Sequence, residues 1–158
     1  MPIIQEFSLN NSLIVVCVSS SEETVYLAEY LQYAGADVYI LASTDKLFRQ
    51  AQDILGDRME GKVIDLQSKT EIDYARDQLV NTKGQIHGLV IDSRNVLAKP
   101  LKDISEHEWD LVMASNAKSS FFLYQAFGEC MKDYGYGRIV NITSELGDRS
   151  VDNFSVFS

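Results

Sequence analysis

Short apolar runs alternate with longer amphipathic stretches along the chain. Five runs, at about 12–18, 37–42, 61–65, 86–92 and 137–143, have the length and turn-rich borders of strands. The stretches between them, at about 22–34, 45–55, 69–82 and 105–133, space their apolar residues as helices that bury one face. Leu13-Ile14-Val15-Val16-Cys17-Val18 and Ile139-Val140-Asn141-Ile142 are nearly all apolar, as strands covered on both faces should be. This alternation predicts an α/β fold, a parallel sheet with helices on both sides, in one domain over 1–158.

Local chemistry sharpens the boundaries. Ser68 with Glu71, and Ser105 with Glu108, have the spacing of capping boxes at helix starts. Gly35 and Gly84 follow helices, where a left-handed residue closes the last turn. Pro100 falls in a loop, outside every predicted element.

Composition narrows the function classes. The chain is 46% hydrophobic and 23% charged, a globular profile, and no run of about 18 apolar residues is available for a membrane span. Met1 to Ser12 lacks the basic-then-apolar layout of a secretory signal. The net charge of −9 is spread along the chain, which argues against nucleic acid and anionic membrane as partners. Cys17 and Cys130 are too few for a disulfide framework, and two buried thiols in a reducing cytoplasm is the expectation. His87 and His107 sit in no metal-ligand spacing, and neither a Walker loop nor a G-x-S-x-G elbow occurs.

Specific segments go further. Gly84-Gln85-Ile86-His87-Gly88-Leu89-Val90, Lys99-Pro100-Leu101, Glu108-Trp109-Asp110 and Ser115-Asn116-Ala117 follow one another in order. After them comes Tyr136-Gly137-Arg138-Ile139-Val140-Asn141-Ile142-Thr143-Ser144. In this order and spacing the chain resembles the N-terminal part of the short-chain dehydrogenases/reductases, Rossmann-type oxidoreductases that use NAD(H) or NADP(H). The resemblance implies a three-layer α/β/α fold with strand order 3-2-1-4-5. It also implies that the family's last strands, and the long helix bearing its tyrosine and lysine, would lie beyond this sequence. The open flank of the fifth strand would then be prone to pair with another chain.

Carried over residue by residue, the resemblance makes Asn116 and Ser144 the candidate catalytic residues. The family's tyrosine position falls on Phe157, which has no proton to transfer, and its lysine position lies past Ser158. The phosphate-binding glycines fall on Val18, Glu22 and Thr24, where side chains would fill space that a pyrophosphate needs. Ser19, Ser20 and Ser21 are the remaining candidates for a displaced phosphate site, against the plainer expectation that one of them caps the next helix.

Neither selector of NAD over NADP is present in Ser43-Thr44-Asp45-Lys46, where Asp45 and Lys46 are expected in the first turn of a helix. Asp65 matches the family's adenine-side aspartate, with a strand-end turn residue as the alternative. Asp92 and Ser93 occupy the loop after the fourth strand, and Arg94 replaces that loop's glycine. A solvent-exposed Arg94 is the default; pairing with Asp92, Glu22 or an anionic ligand is the alternative. Phe121, Phe122, Tyr124 and Phe127 are expected in the core, or on a partner surface if helix 105–133 mediates oligomers as in the family. Two readings stand: an NAD(P)-dependent oxidoreductase of carbonyl or alcohol substrates that is inactive as this chain, and a non-catalytic pseudoenzyme that binds a protein or ligand.

Overall fold

A computed structural model describes residues 7–19, 21–56, 59–147, 149 and 151–156. Five parallel strands form one sheet in the order β3-β2-β1-β4-β5: β1 (Leu13–Val18), β2 (Asp37–Ala42), β3 (Glu60–Val63), β4 (Gly88–Asp92) and β5 (Arg138–Ile142). The helices are α1 (Glu23–Tyr33), α2 (Asp45–Leu55), α3 (Lys69–Lys83), α4 (Glu106–Met113) and α5 (Ser119–Asp133). The expected architecture and strand order are thus observed, except that β5, expected to be covered on both faces, is exposed from Arg138 to Asn141 because no further strand or helix covers its outer flank among the described residues.

Successive strand side chains point to opposite faces, so an all-apolar strand needs two cores. Leu13, Val15 and Cys17 of β1 join Leu89, Ile91, Leu123 and Phe127 on one face. Ile14, Val16 and Val18 join Val25, Ala28, Ile40 and Ala51 on the other. Both thiols are free and buried, and burial pushes Cys17 far above the ordinary cysteine value. Phe127 is fully buried and Phe122 packs against the same cluster, whereas Phe121 (59%) and Tyr124 (37%) remain exposed. The aromatic set of α5 is therefore divided between core and surface.

Strand ends differ from expectation by a residue or two. β3 stops at Val63, although the Ile64 N–H still donates to the Ala42 carbonyl before Asp65 turns the chain. β4 begins at Gly88, while His87 already exchanges backbone bonds with Leu13 and Arg138. The Nδ1 of His87 also accepts from the Leu13 N–H at 3.1 Å. The predicted helix 105–133 is one rod with an irregular centre: a π turn at Ala114–Lys118 separates α4 from α5. Ser105 and Glu108 form a full capping box. Ser68 accepts from the Glu71 N–H, but the Glu71 carboxylate reaches the Asp65 N–H instead, so that box is half-made. Gly35 closes α1 with φ 97° and Gly84 closes α3 with φ 80°.

Among the described residues, no helix is long and apolar enough to cross a membrane, and no group of three His, Cys, Asp or Glu could hold a metal ion.

Candidate functional site

From β1 the chain runs outward to β2 and β3, then returns to place β4 on the other side of β1. The strand order reverses between β1 and β4, where open α/β sheets form a ligand crevice outside the carboxyl ends of their strands. Val18 and Asp92 are register partners at that edge. The loops leaving these two residues define the site.

The Asp92 side chain is fully buried. Its carboxylate accepts from the Thr24 hydroxyl, from Ser21 Oγ at 3.2 Å, and from Arg94 through Nε (2.7 Å) and Nη2 (2.9 Å). Burial alone would push the carboxyl upward, but the hydrogen bonds from Arg94 and Thr24 and the guanidinium charge outweigh it, and Asp92 lies below the ordinary aspartate value. The Arg94 guanidinium is correspondingly held more firmly protonated, chiefly by its hydrogen bond to Asp92. Its Nη2 also reaches Glu23 Oε2 at 3.4 Å and Ser21 Oγ at 3.5 Å. Arg94 is therefore not a solvent-facing arginine. It ties the loop after β4 to the first turn of α1, across the crevice.

Neither Ser19 nor Ser21 caps α1. Glu22 occupies the N-cap without a side-chain cap bond, and its carboxylate accepts from Gln50 of α2. Ser19 Oγ donates to the Asp92 carbonyl, and Ser43 Oγ donates to the Ser19 carbonyl at 3.2 Å. These hydroxyls stitch β1, β2 and β4 together at their ends because the adjacent strands leave carbonyls there with no further ladder partner. Ser20 lies outside the described residues, as does Phe157.

On the far side of the crevice, Ser93 Oγ lies 2.7 Å from Ser120 Oγ. The Asn116 side chain pairs with Asn95 twice: its Oδ1 accepts from the Asn95 N–H (2.7 Å) and its Nδ2 donates to the Asn95 carbonyl (3.0 Å). The π turn holds Asn116 in that position. Ser144 Oγ accepts from the Leu146 N–H at 3.2 Å. Asp65 makes an Asx turn, accepting from the Gln67 N–H at 2.8 Å, and Thr44 caps α2, which Asp45 opens.

Two cavities flank this seam. One, of about 520 Å³, is lined by Ser43, Thr44, Asp65, Leu66, Arg94 and Ser115 among others. The second, of about 170 Å³, is lined by Ser93, Arg94, Asn116, Asn141, Thr143 and Ser144 among others. The candidate catalytic residues Asn116 and Ser144 thus share the smaller cavity, and Asp65 lies in the larger one. Among the described residues, Arg94 is the one that lines both cavities.

The family profile described as short chain dehydrogenase matches residues 24–158. The chain belongs to this family. The match begins at Thr24, the last of the three positions where the glycine pattern is lost. The 3-oxoacyl-[acyl-carrier-protein] reductase of Haemophilus influenzae is 31% identical over 121 residues, covering 77% of this chain and 50% of the relative. The NAD-dependent glycerol dehydrogenase of Listeria innocua is 26% identical over 148 residues, covering 94% of this chain and 58% of the relative. The chain therefore spans about half the length of these curated relatives. Among solved structures, a short chain dehydrogenase from Mycobacterium smegmatis superposes with a TM-score of 0.87 at 25% identity, over 96% of this chain and 65% of that one. An NAD+-bound xylitol dehydrogenase gives 0.87 at 20% identity, over 94% and 59%.

Short-chain dehydrogenases use NAD(H) or NADP(H), and the residues here fit that group unevenly. The larger cavity has room and polar side chains for a nucleoside. The strip that would carry the diphosphate does not fit: the Arg94 bridge crosses it, and Glu23 stands beside it in the first turn of α1. A diphosphate approaching a carboxylate at about 4 Å is repelled by about 1 kcal/mol per charge pair in water, and by more in a partly dry crevice. Spacing alone marks Thr24 only as a lost glycine. Its role as a donor to Asp92 follows from the register of β1 beside β4, which the sequence does not display.

Proposed function

We propose that this chain is a non-catalytic member of its family, a binding module whose dinucleotide crevice is bolted by its own side chains. The observation that carries this reading is the Arg94 bridge, which joins Asp92 of β4 to Ser21 and Glu23 of the first loop and helix. A ligand diphosphate would have to draw Arg94 away from a buried carboxylate that it hydrogen-bonds. The Phe157 position removes the hydroxyl that the family's proton transfer uses, a step worth about 10² to 10⁴-fold in rate.

A second reading has its own support. Asn116 and Ser144 line one cavity, the larger cavity adjoins it, and relatives such as the glycerol dehydrogenase are NAD-dependent. On that reading Arg94 would swing from Asp92 to a cofactor phosphate, and the whole protein would oxidise an alcohol or reduce a carbonyl.

Titration with NADH and NADPH, followed by nicotinamide fluorescence and thermal shift, separates the two. The non-catalytic reading expects no shift at millimolar cofactor. Stabilisation near 2.7 kcal/mol, the value for ligand at about 100 times its dissociation constant, would overturn it. As a partner surface we propose the exposed apolar side chains along α4 and α5, Trp109, Leu111, Phe121 and Tyr124; a clean monomer by sedimentation would count against that assignment.

A further inference from the structure

The outer face of α1 carries a feature that neither the crevice nor the α4–α5 surface uses. The helix buries Thr24, Val25 and Ala28 against the sheet. On the opposite side Tyr26, Tyr30 and Tyr33, spaced four and three residues apart, form one stripe along the rod. Their exposures are 50%, 69% and 68%, so three phenol rings stand in water on a single helix face. Glu29 is set among them, and Glu22 precedes the first by one turn. Of the three carboxylates from Glu22 to Tyr33, Glu23 reaches Arg94 at the crevice and Glu22 accepts from Gln50, which leaves Glu29 beside the rings; the span holds no lysine or arginine. At the C-terminal end of α1 the Leu9 N–H donates to the Ala34 carbonyl, which brings the segment bearing exposed Phe7 to the same end of the helix.

We propose that this aromatic and acidic face of α1 docks a basic segment of a partner polypeptide, with guanidinium groups stacked on the tyrosine rings and paired with Glu29. The choice of occupant follows from charge. Tyrosine faces attract cations, arginine most readily because its planar guanidinium also stacks, and tyrosine is enriched at protein interfaces. A second copy of this chain would bring like carboxylates onto the same face, in a molecule already at −9. Nucleic acid meets the same repulsion.

The test uses the isotopically labelled chain at low salt, with oligoarginine and oligolysine peptides of equal length as probes. Amide shifts concentrate in residues 22–33, and oligoarginine binds more tightly than oligolysine. Replacing Tyr26→Ser, Tyr30→Ser and Tyr33→Ser together weakens oligoarginine binding roughly tenfold. The corresponding triple phenylalanine variant keeps the binding, because the ring faces remain, and circular dichroism of both variants reports an intact fold. Shifts scattered over the acidic surface, equal affinity for the two peptides, or an unchanged serine variant would overturn the proposal. So would sedimentation showing that the chain self-associates and that the serine variant abolishes this, since the occupant would then be a second copy.

Discussion

Replacing Arg94→Met tests the ion pair on which the functional reading rests. The methionine keeps most of the aliphatic bulk and removes the guanidinium. Asp92, fully buried, would retain the hydroxyls of Thr24 and Ser21 and the backbone N–H of position 94 as donors. Removing one partner of a buried pair typically costs 3–5 kcal/mol. Arg94 is itself 27% exposed and donors to the carboxylate remain, so the expected loss sits at the lower end, about 3 kcal/mol. For a chain of this size that lowers the melting temperature by roughly 6–12 °C. The double variant Asp92→Asn with Arg94→Met removes both charges and should recover most of the loss, giving a coupling energy of about 2 kcal/mol in a double-mutant cycle by urea denaturation.

The pH dependence has a definite sign. Asp92 lies below its ordinary value in the folded protein, so its contribution is present above the unfolded aspartate value of about 3.9 and is lost as pH falls through the folded value. In Arg94→Met, burial is no longer opposed by the guanidinium and the carboxyl moves upward. The difference between wild type and variant should therefore be largest near neutral pH and shrink towards pH 4. A loss below about 0.5 kcal/mol at neutral pH, the size of a surface pair, would refute the reasoning.

Ser105→Ala, which breaks the capping box of α4, should cost about 1 kcal/mol by thermal or urea unfolding. Glu108, held at about 2 by hydrogen bonds from Lys99 and Ser105, should show a carboxyl resonance that titrates well below free glutamate and moves back up in Lys99→Met. Cys17 should resist thiol reagents at neutral pH until the protein unfolds, because burial raises it and keeps reagents away from the sulfur. Gly61→Ala should destabilise by about 1–3 kcal/mol, since the added Cβ would meet the Ile40 carbonyl oxygen at 2.5 Å on backbone that cannot step aside.

The fold is legible in the sequence because its signals are redundant. All-apolar β1, the apolar run Leu89-Val90-Ile91 of β4, the glycines closing α1 and α3, and the Ser105–Glu108 box each specify the same alternation of strand and helix. Strand ends are less legible. Ile64 and His87 keep ladder-type bonds beyond the strands proper, and no property of those side chains marks the difference. At the site, sequence spacing locates the loops but not their wiring. Arg94 two residues after Asp92 admits both solvent and an ion pair. Only the register of β1 beside β4 brings Ser21, Glu23 and Thr24 within reach and decides for the pair. Propensity assigns the serines of the first loop to the helix start. The Asp92 carbonyl draws the Ser19 hydroxyl away, and the Asp92 carboxylate draws that of Ser21.

The π turn at Ala114–Lys118 has a consequence for how this protein could change over time. A π turn is an α-helix with one surplus residue, and each residue rotates the downstream chain by about 100°. Without the surplus, α5 could not present Leu123 and Phe127 to the sheet while α4 keeps its own buried Val112. Point substitutions within the turn leave this phase intact, whereas loss of a single codon there would roll the downstream helix and turn its oily side towards water. Asn116 aside, the segment should therefore tolerate a change of residue better than a change of length.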